Sequence, residues 1–276
     1  MRLHEGVVRR RSWNAGLLIV AFLMTATIFA PVIAPHNPAA VAPDHRLEGP
    51  SPRFPLGTDH LGRCVWSRLL YGARWSLGTA AVAAGLILAI GALVGTVSGY
   101  LGGVVDIILM RVVDVLLAFP ALIPALAIVG MLGPGVGHLL AATVSVSWAG
   151  YARMVRGLVL SVRKRQFVES SRALGAPGAT IITRHILPNV LPSVLVLASV
   201  DVGGLLLLMA GLSFLGLGVQ PPTPEWGGML NDGRTYLFSA PQLMIYPGIA
   251  ISLAVIGFNL LGEGARDLLD PRLSRA

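Results

Sequence analysis

Charge is scarce in this sequence. Of 276 residues, 12% are Asp, Glu, Lys or Arg, where an average soluble domain carries roughly 25%. With 54% of the residues hydrophobic, lipid rather than water is the solvent this composition suits. Cysteine is nearly absent: Cys64 stands alone, which excludes an internal disulfide or a cysteine metal cluster. Lysine is equally rare. A nucleotide-binding P-loop ends in Gly-Lys-Ser/Thr, and the single lysine, Lys164, lies between Arg163 and Arg165. No H-E-x-x-H, C-x-x-C or G-x-S-x-G occurs, and the six histidines (His4, His36, His45, His60, His138 and His185) form no i, i+4 pair. No catalytic residue, metal ligand or bound cofactor is therefore expected in this chain. The formal charge of +8 reads as positive-inside sorting in a membrane rather than as nucleic-acid binding.

A transmembrane helix needs about 20 mainly apolar residues. Six stretches approach this: about Ala15 to Ala34, Ser76 to Gly99, Val104 to Leu132, Leu139 to Val155, Val190 to Leu217 and Leu243 to Leu261. The third carries Asp106, Arg111 and Asp114 in its first half and Pro120 and Pro124 in its middle, so either it starts late or it is a broken, protein-facing helix. With the N-terminus inside, fifteen basic residues fall on the cytoplasmic side and six outside (Arg46, Arg53, Arg63, Arg68, Arg74 and Arg234). That bias puts both termini in the cytoplasm. The competing reading of the first stretch is a cleaved signal peptide. Its apolar run is longer than an ordinary h-region and Pro35 follows Ala34, which favours a retained anchor.

Small residues recur in the spans. Gly91, Gly95 and Gly99 lie four apart, as do Ala81, Gly85 and Ala89, and Gly204, Gly211 and Gly218 lie seven apart. Such faces let helix backbones approach closely in lipid; they fit helix packing first and a translocation path second.

The segment between the fourth and fifth spans, RKRQFVESSRALGAPGATIITRHILPN from Arg163 to Asn189, is too polar for lipid. Gly175 reads as a helix C′ residue and Ala176-Pro177-Gly178 as a turn whose proline enters a second helix. The first helix sets Ser170, Ser171 and Ala173 around Glu169 and Arg172, a surface suited to a partner's groove.

Glu169-Ser170-Ser171, Gly175 and Leu187-Pro188 resemble the EAA…G…I-x-LP loop of ABC-importer permeases, whose coupling helix docks on the ATPase subunit. Serines replace both alanines, and His185 stands where the isoleucine is usual. Further stretches are Pro55 to Arg63 (PLGTDHLGR), Ser67-Arg68, Gly211 to Gly218 (GLSFLGLG), Glu225-Trp226-Gly227 and Asp270-Pro271-Arg272-Leu273. These are similar to the C-type permeases of dipeptide, oligopeptide and nickel importers. Cys64 departs from the Asp usual after Gly-Arg. The resemblance implies an all-α integral membrane protein with six transmembrane helices and the type I ABC-importer permease fold, in a bacterial inner membrane. Residues 1–75 would form an anchor helix, outer loop and amphipathic helix, and residues 76–276 a five-helix core with its coupling loop at 159–189. The resemblance also implies two ABC ATPase subunits carrying ATP and Mg, a related B-type permease and an extracytoplasmic substrate-binding protein. ATPase coupling then falls to Glu169, Ser170, Ser171, Arg172, Ala173, Gly175, Leu187 and Pro188.

The residues beside these motifs carry expectations of their own. Leu61, Val65, Leu69 and Leu70 recur near helical spacing after Asp59, which predicts an N-cap at Asp59 and an amphipathic helix on the outer surface leading into the second span. A plain connecting loop is the alternative. The Pro-rich stretch Gln220 to Glu225 is expected to be extended, with Trp226 at headgroup level. Asp114 and Asp201 lie deep in apolar runs, where an unmatched aspartate costs about 2.5–3.5 kcal/mol on insertion scales. Each is either a polar point on the translocation path or a structural partner, with Arg111 and Arg156 as candidate counter-ions. A secondary carrier would show paired broken helices with mid-membrane carboxylates, and only these two aspartates qualify weakly, so an ATP-driven transport subunit is favoured. Peptide cargo is preferred over nickel.

Overall fold

The computed structural model describes the backbone of residues 2–269 and the side chains of residues 12–266. The Asp270 to Leu273 motif lies outside the described residues. Among those residues the regular structure is entirely helical.

Helix α1 (Arg2–Ile28) stops at Phe29, and one short turn, α2 (Ala30–Ile33), follows. The first span was expected to continue to Ala34. Pro31 has no N–H for the Thr27 carbonyl, so the helical ladder cannot run through it unbroken. Helix α3 (Val65–Leu101) is a single rod of 37 residues, about 55 Å long at 1.5 Å per residue. It ends where Gly102 and Gly103 take φ of +69° and +56°, a conformation that side-chain-bearing residues avoid. Arg163 donates to the Gly99 carbonyl at 3.2 Å, satisfying one acceptor freed at that helix end.

The third expected span is broken: α4 (Gly103–Leu117) and α5 (Leu122–Leu132) meet at 87°. Pro120 supplies no donor and holds Phe119 away from helical geometry. Pro124 lies in the first turn of α5, where a missing N–H costs nothing. The break does not make the helix protein-facing within this chain. Val113 is the buried residue of α4, while Val104, Ile107, Ile108 and Val115 are exposed.

Helix α6 (Val136–Arg163) leads into α7 (Gln166–Ala173) and then α8 (Gly178–Ile181). A five-residue π turn, Ile182–Ile186, joins α8 to α9 (Leu187–Phe214). Pro188 explains the widened turn: it cannot donate to the Arg184 carbonyl, and its ring crowds that oxygen. The chain closes with α10 (Trp226–Arg234) and α11 (Gln242–Leu269). Among the described residues, α3, the 178–214 run and α11 are long and apolar enough to cross a membrane, and the bent α4–α5 pair adds a fourth if it counts as one span. The apolar part of α1, Ser12–Ile28, is shorter, and α6 is not among the qualifying helices.

Glycines set the closest helix contacts. A Cβ on Gly91 would lie 2.4 Å from Tyr151 Cβ, one on Gly95 2.5 Å from the Ala152 carbonyl, and one on Gly99 3.0 Å from Val159 Cβ. The Gly91/Gly95/Gly99 face is therefore the seam on which α3 crosses α6, the most extensive helix pair. Gly203 against Val255, Gly257 against Ile19 and Gly262 against Val200 close α11 onto α9 and α1. The Ala81/Gly85/Ala89 face does not pack within this chain, with nothing near Gly85. The third set divides: Gly204 and Gly211 are open on α9, while Gly218, beyond the end of that helix, is closed against Ser213.

Candidate functional site

At the Asp59 end of the bundle, the residues of PLGTDHLGR satisfy one another. Gly57 and Gly62 take φ of +76° and +75°, and the segment 42–48, which holds a 3-10 turn at Pro43–His45, passes so close that a Cβ on Gly62 would sit 1.8 Å from the Ala42 carbonyl oxygen. Backbone bonds from Ala42 to Leu61 (3.0 Å) and Leu47 to Asp59 (3.1 Å) hold that segment down. Asp59 does not cap a helix, contrary to the pattern-based expectation. It is buried, and its carboxylate accepts from the Leu61 and Arg63 amides, from Arg63 Nε at 2.6 Å and, more distantly, from Arg68. Both guanidinium groups also reach Asp232 of α10, at 3.2 and 3.5 Å. Arg63 and Arg68 are therefore buried ion-pair partners rather than the polar face of a surface helix. The helix begins instead at Val65, where Cys64 takes the N-cap position and makes no capping hydrogen bond. An Asp there would accept from the first-turn amides.

The Glu225-Trp226-Gly227 motif is equally internal. Glu225 caps α10 by accepting from Gly227 and Gly228 N–H, both at 2.8 Å, and also accepts from the Ser76 hydroxyl at 2.9 Å. Trp226 is 1% exposed and donates from Nε1 to the Leu69 carbonyl at 2.9 Å, so it is a core residue and not a headgroup anchor. A Cβ on Gly227 would meet the Ala210 carbonyl at 2.6 Å, so this glycine seats α10 on α9. Residues 221–222 form a turn rather than an extended strand.

The opposite end of α3 meets the segment that resembles the coupling loop. Helix α7 ends in a Schellman motif: Ala176 N–H donates to the Ser171 carbonyl (3.1 Å) and Gly175 N–H to that of Arg172 (3.0 Å), with Gly175 at φ +80°. Pro177 is the N-cap of α8, as the Ala-Pro-Gly turn predicted. Val168 is the buried residue of α7, packing into the main core with Ile181 and Ile186. Glu169, Ser170, Arg172, Ala173 and Gly175 are exposed and Ser171 is half-buried. Leu174 is 88% exposed. Arg172 lies over the Tyr100 ring at 6.0 Å, and Phe167 leans on His185 at 6.1 Å. Leu187 and Pro188 belong not to this surface but to the first turn of α9, where Leu187 is half-buried.

The two aspartates separate. Asp114 pairs with Arg153, not with Arg111 or Arg156. Arg156 instead holds Asp106 by two bonds of 2.5 and 2.6 Å, and Ser98 donates to the same carboxylate. Together these pairs tie α4 to α6. Asp201 lines an open cleft of about 310 Å³ between α6 and α9, with Ser147, Tyr151 and Met154. The sequence offers Phe167 and Val168 as adjacent apolar residues of α7, and only the fold shows that Val168 is the buried one. The partners Arg153 and Ser98 and the cleft neighbour Tyr151 lie on other helices and leave no local signal.

Comparison with known proteins gives the family. The model of the family described as binding-protein-dependent transport system inner membrane component matches residues 76–275. The N-terminal TM domain of oligopeptide transport permease C matches residues 9–50. A nickel transport system permease protein of Escherichia coli is 43% identical, covering 96% of this chain and 95% of the relative. A dipeptide transport system permease protein of Alkalihalophilus pseudofirmus is 41% identical over 94% of this chain and 85% of its own. A glutathione transport system permease protein of Pectobacterium atrosepticum is 42% identical over 93% and 85%.

Proposed function

This chain belongs to the binding-protein-dependent transport system inner membrane components, the permeases of ABC importers, and we propose that it is the C-type subunit that turns ATPase closure into alternating access. The fold assigned to it has six spans with both termini in the cytoplasm: α1, α3, the bent α4–α5 pair, α6, α9 and α11. Residues 1–75 form the anchor and outer segment and residues 76–276 the core. In this orientation the Asp59 end and α10 face outward, and α7 projects into the cytoplasm.

The observation that carries the reading is α7 itself, a short helix closed by a Schellman turn and hung from the core by Val168, with most of its other residues exposed. Glu169, Ser170, Ser171, Arg172, Ala173 and Gly175 dock on one of two ABC ATPase subunits, which carry ATP and Mg. The chain leaves α7 through α6 on one side and through α8, the π turn and α9 on the other, so a pull on α7 reaches both walls of the Asp201 cleft. The π turn beside Leu187-Pro188 is the compliant joint. A bundle of this size is too small to enclose a path alone, so a related B-type permease completes it, and an extracytoplasmic binding protein delivers cargo. The Arg153 ion pair supports a structural role for Asp114 in holding α4, and Asp201 is the preferred path residue.

Peptides are the preferred cargo. Nickel is the second reading, favoured by a nickel permease relative matched over 95% of its length. Reconstituting the chain with its second permease, ATPases and binding protein tests the assignment: uptake should require ATP and loaded binding protein. Thermal unfolding of that binding protein with trialanine, glutathione or Ni²⁺ identifies the cargo by the ligand that protects it. Protection by Ni²⁺ alone would overturn the peptide choice.

A further inference from the structure

Asp201 and Tyr151 stand close to the midpoints of α9 (Leu187–Phe214) and α6 (Val136–Arg163), so their cleft lies near the middle of the membrane thickness. Asp106 and Asp114, the two acids of the apolar helix α4, each have an arginine. Asp201 has no cationic partner among the described residues, although it is exposed at the cleft. An unmatched carboxylate at this depth faces a polar path or meets an incoming positive charge. The walls also leave room. Gly150, in the α6 wall of the cleft, has open space where a Cβ would stand, unlike the glycines that seal the seams. The position of Tyr151 is fixed from behind by its close approach to Gly91 of α3, so the cleft that it shares with Asp201 has one rigid wall.

We propose that the Asp201 carboxylate, with Tyr151 beside it in the cleft, is a subsite for the positively charged group of the cargo in transit, an ammonium group or a divalent cation. This rests on the importer reading above. Asp201 makes the contact, and Tyr151 supplies a polar group in the same wall. A neutral residue at 201 keeps the shape of the cleft and loses the attraction, while glutamate keeps the charge.

The test uses the complete importer in liposomes, with trialanine, glutathione and Ni²⁺ as separate probes. Asp201→Asn is expected to lower uptake of the transported probe about tenfold or more, the scale of one charge-assisted hydrogen bond. The complex should still co-purify, and loaded binding protein should still stimulate ATP hydrolysis. Asp201→Glu should restore most of the uptake. Tyr151→Phe should give a smaller loss that adds nothing in the Asp201→Asn background, the non-additivity of groups acting as one unit. The transported probe separates the sources: trialanine or glutathione identifies an ammonium group, and Ni²⁺ a divalent cation. Unchanged uptake in Asp201→Asn overturns the subsite, as does loss of the second permease from both Asp201 variants, which would make the residue an interface contact. A wild-type complex that imports none of the probes under ATP would instead overturn the importer reading.

Discussion

The two ends of α3 carry the most recognisable stretches of the sequence and treat them in opposite ways. At the Asp59 end, the charged and polar side chains are buried and paired: Asp59 with Arg63 and Arg68, both arginines with Asp232, and Glu225 with Ser76 and the α10 amides. At the α7 end, Glu169 and Arg172 project from a short helix with one buried anchor, beside the exposed Leu174. A motif whose residues satisfy each other builds the scaffold. A motif whose residues stay exposed at the surface is available to a partner, which is why docking is proposed for the α7 end and a rigid cap for the Asp59 end.

The comparison predicts where substitutions act on stability and where on coupling. Gly62→Ala should have the largest effect, because positive φ and the 1.8 Å approach to Ala42 leave no place for a methyl group. A loss above about 4 kcal/mol is expected, seen as failed membrane accumulation or a collapsed unfolding temperature. Arg63→Ala should cost about 3–5 kcal/mol by leaving Asp59 buried with a poorer counter-ion. Adding Asp59→Ala should recover part of that in thermal unfolding, and a full loss in the double variant would show that the network is not what stabilises this end. Val168→Ala should cost about 2 kcal/mol yet reduce binding-protein-stimulated ATP hydrolysis more than the stability loss explains, because it loosens the anchor of α7. Cys64→Asp should move stability the other way, by about 1 kcal/mol, by supplying the missing cap of α3. An unchanged or lower unfolding temperature would show that residue 64 does not limit that helix start.

The sequence reveals these two ends unequally. The α7 turn is local: glycine at C′, then Ala-Pro-Gly, fixes the helix end and the next start within a few residues, and the structure follows. Pro120 likewise marks the break between α4 and α5, and the Gly91/Gly95/Gly99 spacing marks the α3–α6 seam. The Asp59 end misleads for the same physical reason that it is stable. Asp59 precedes an apolar periodicity and looks like a cap, but its second guanidinium partner comes from within α3 and its neighbour Asp232 from α10. Glu225 and Trp226 read as surface residues because their partners Ser76 and Leu69 lie about 150 positions away. The apolar faces of α4 and the open glycines of α9 look like packing stripes in sequence, and only the fold shows that nothing in this chain fills them.

The central claim is that the surface of α7 is the mechanical link to an ATPase rather than part of the structural core. Its most direct test is ATP hydrolysis by the reconstituted importer carrying Arg172→Asp and Leu174→Asp together, measured with and without loaded binding protein. The unfolding temperature of the permease should stay unchanged while ATPase co-purification or stimulated hydrolysis is lost. Full stimulation with an intact ATPase complex would contradict the assignment.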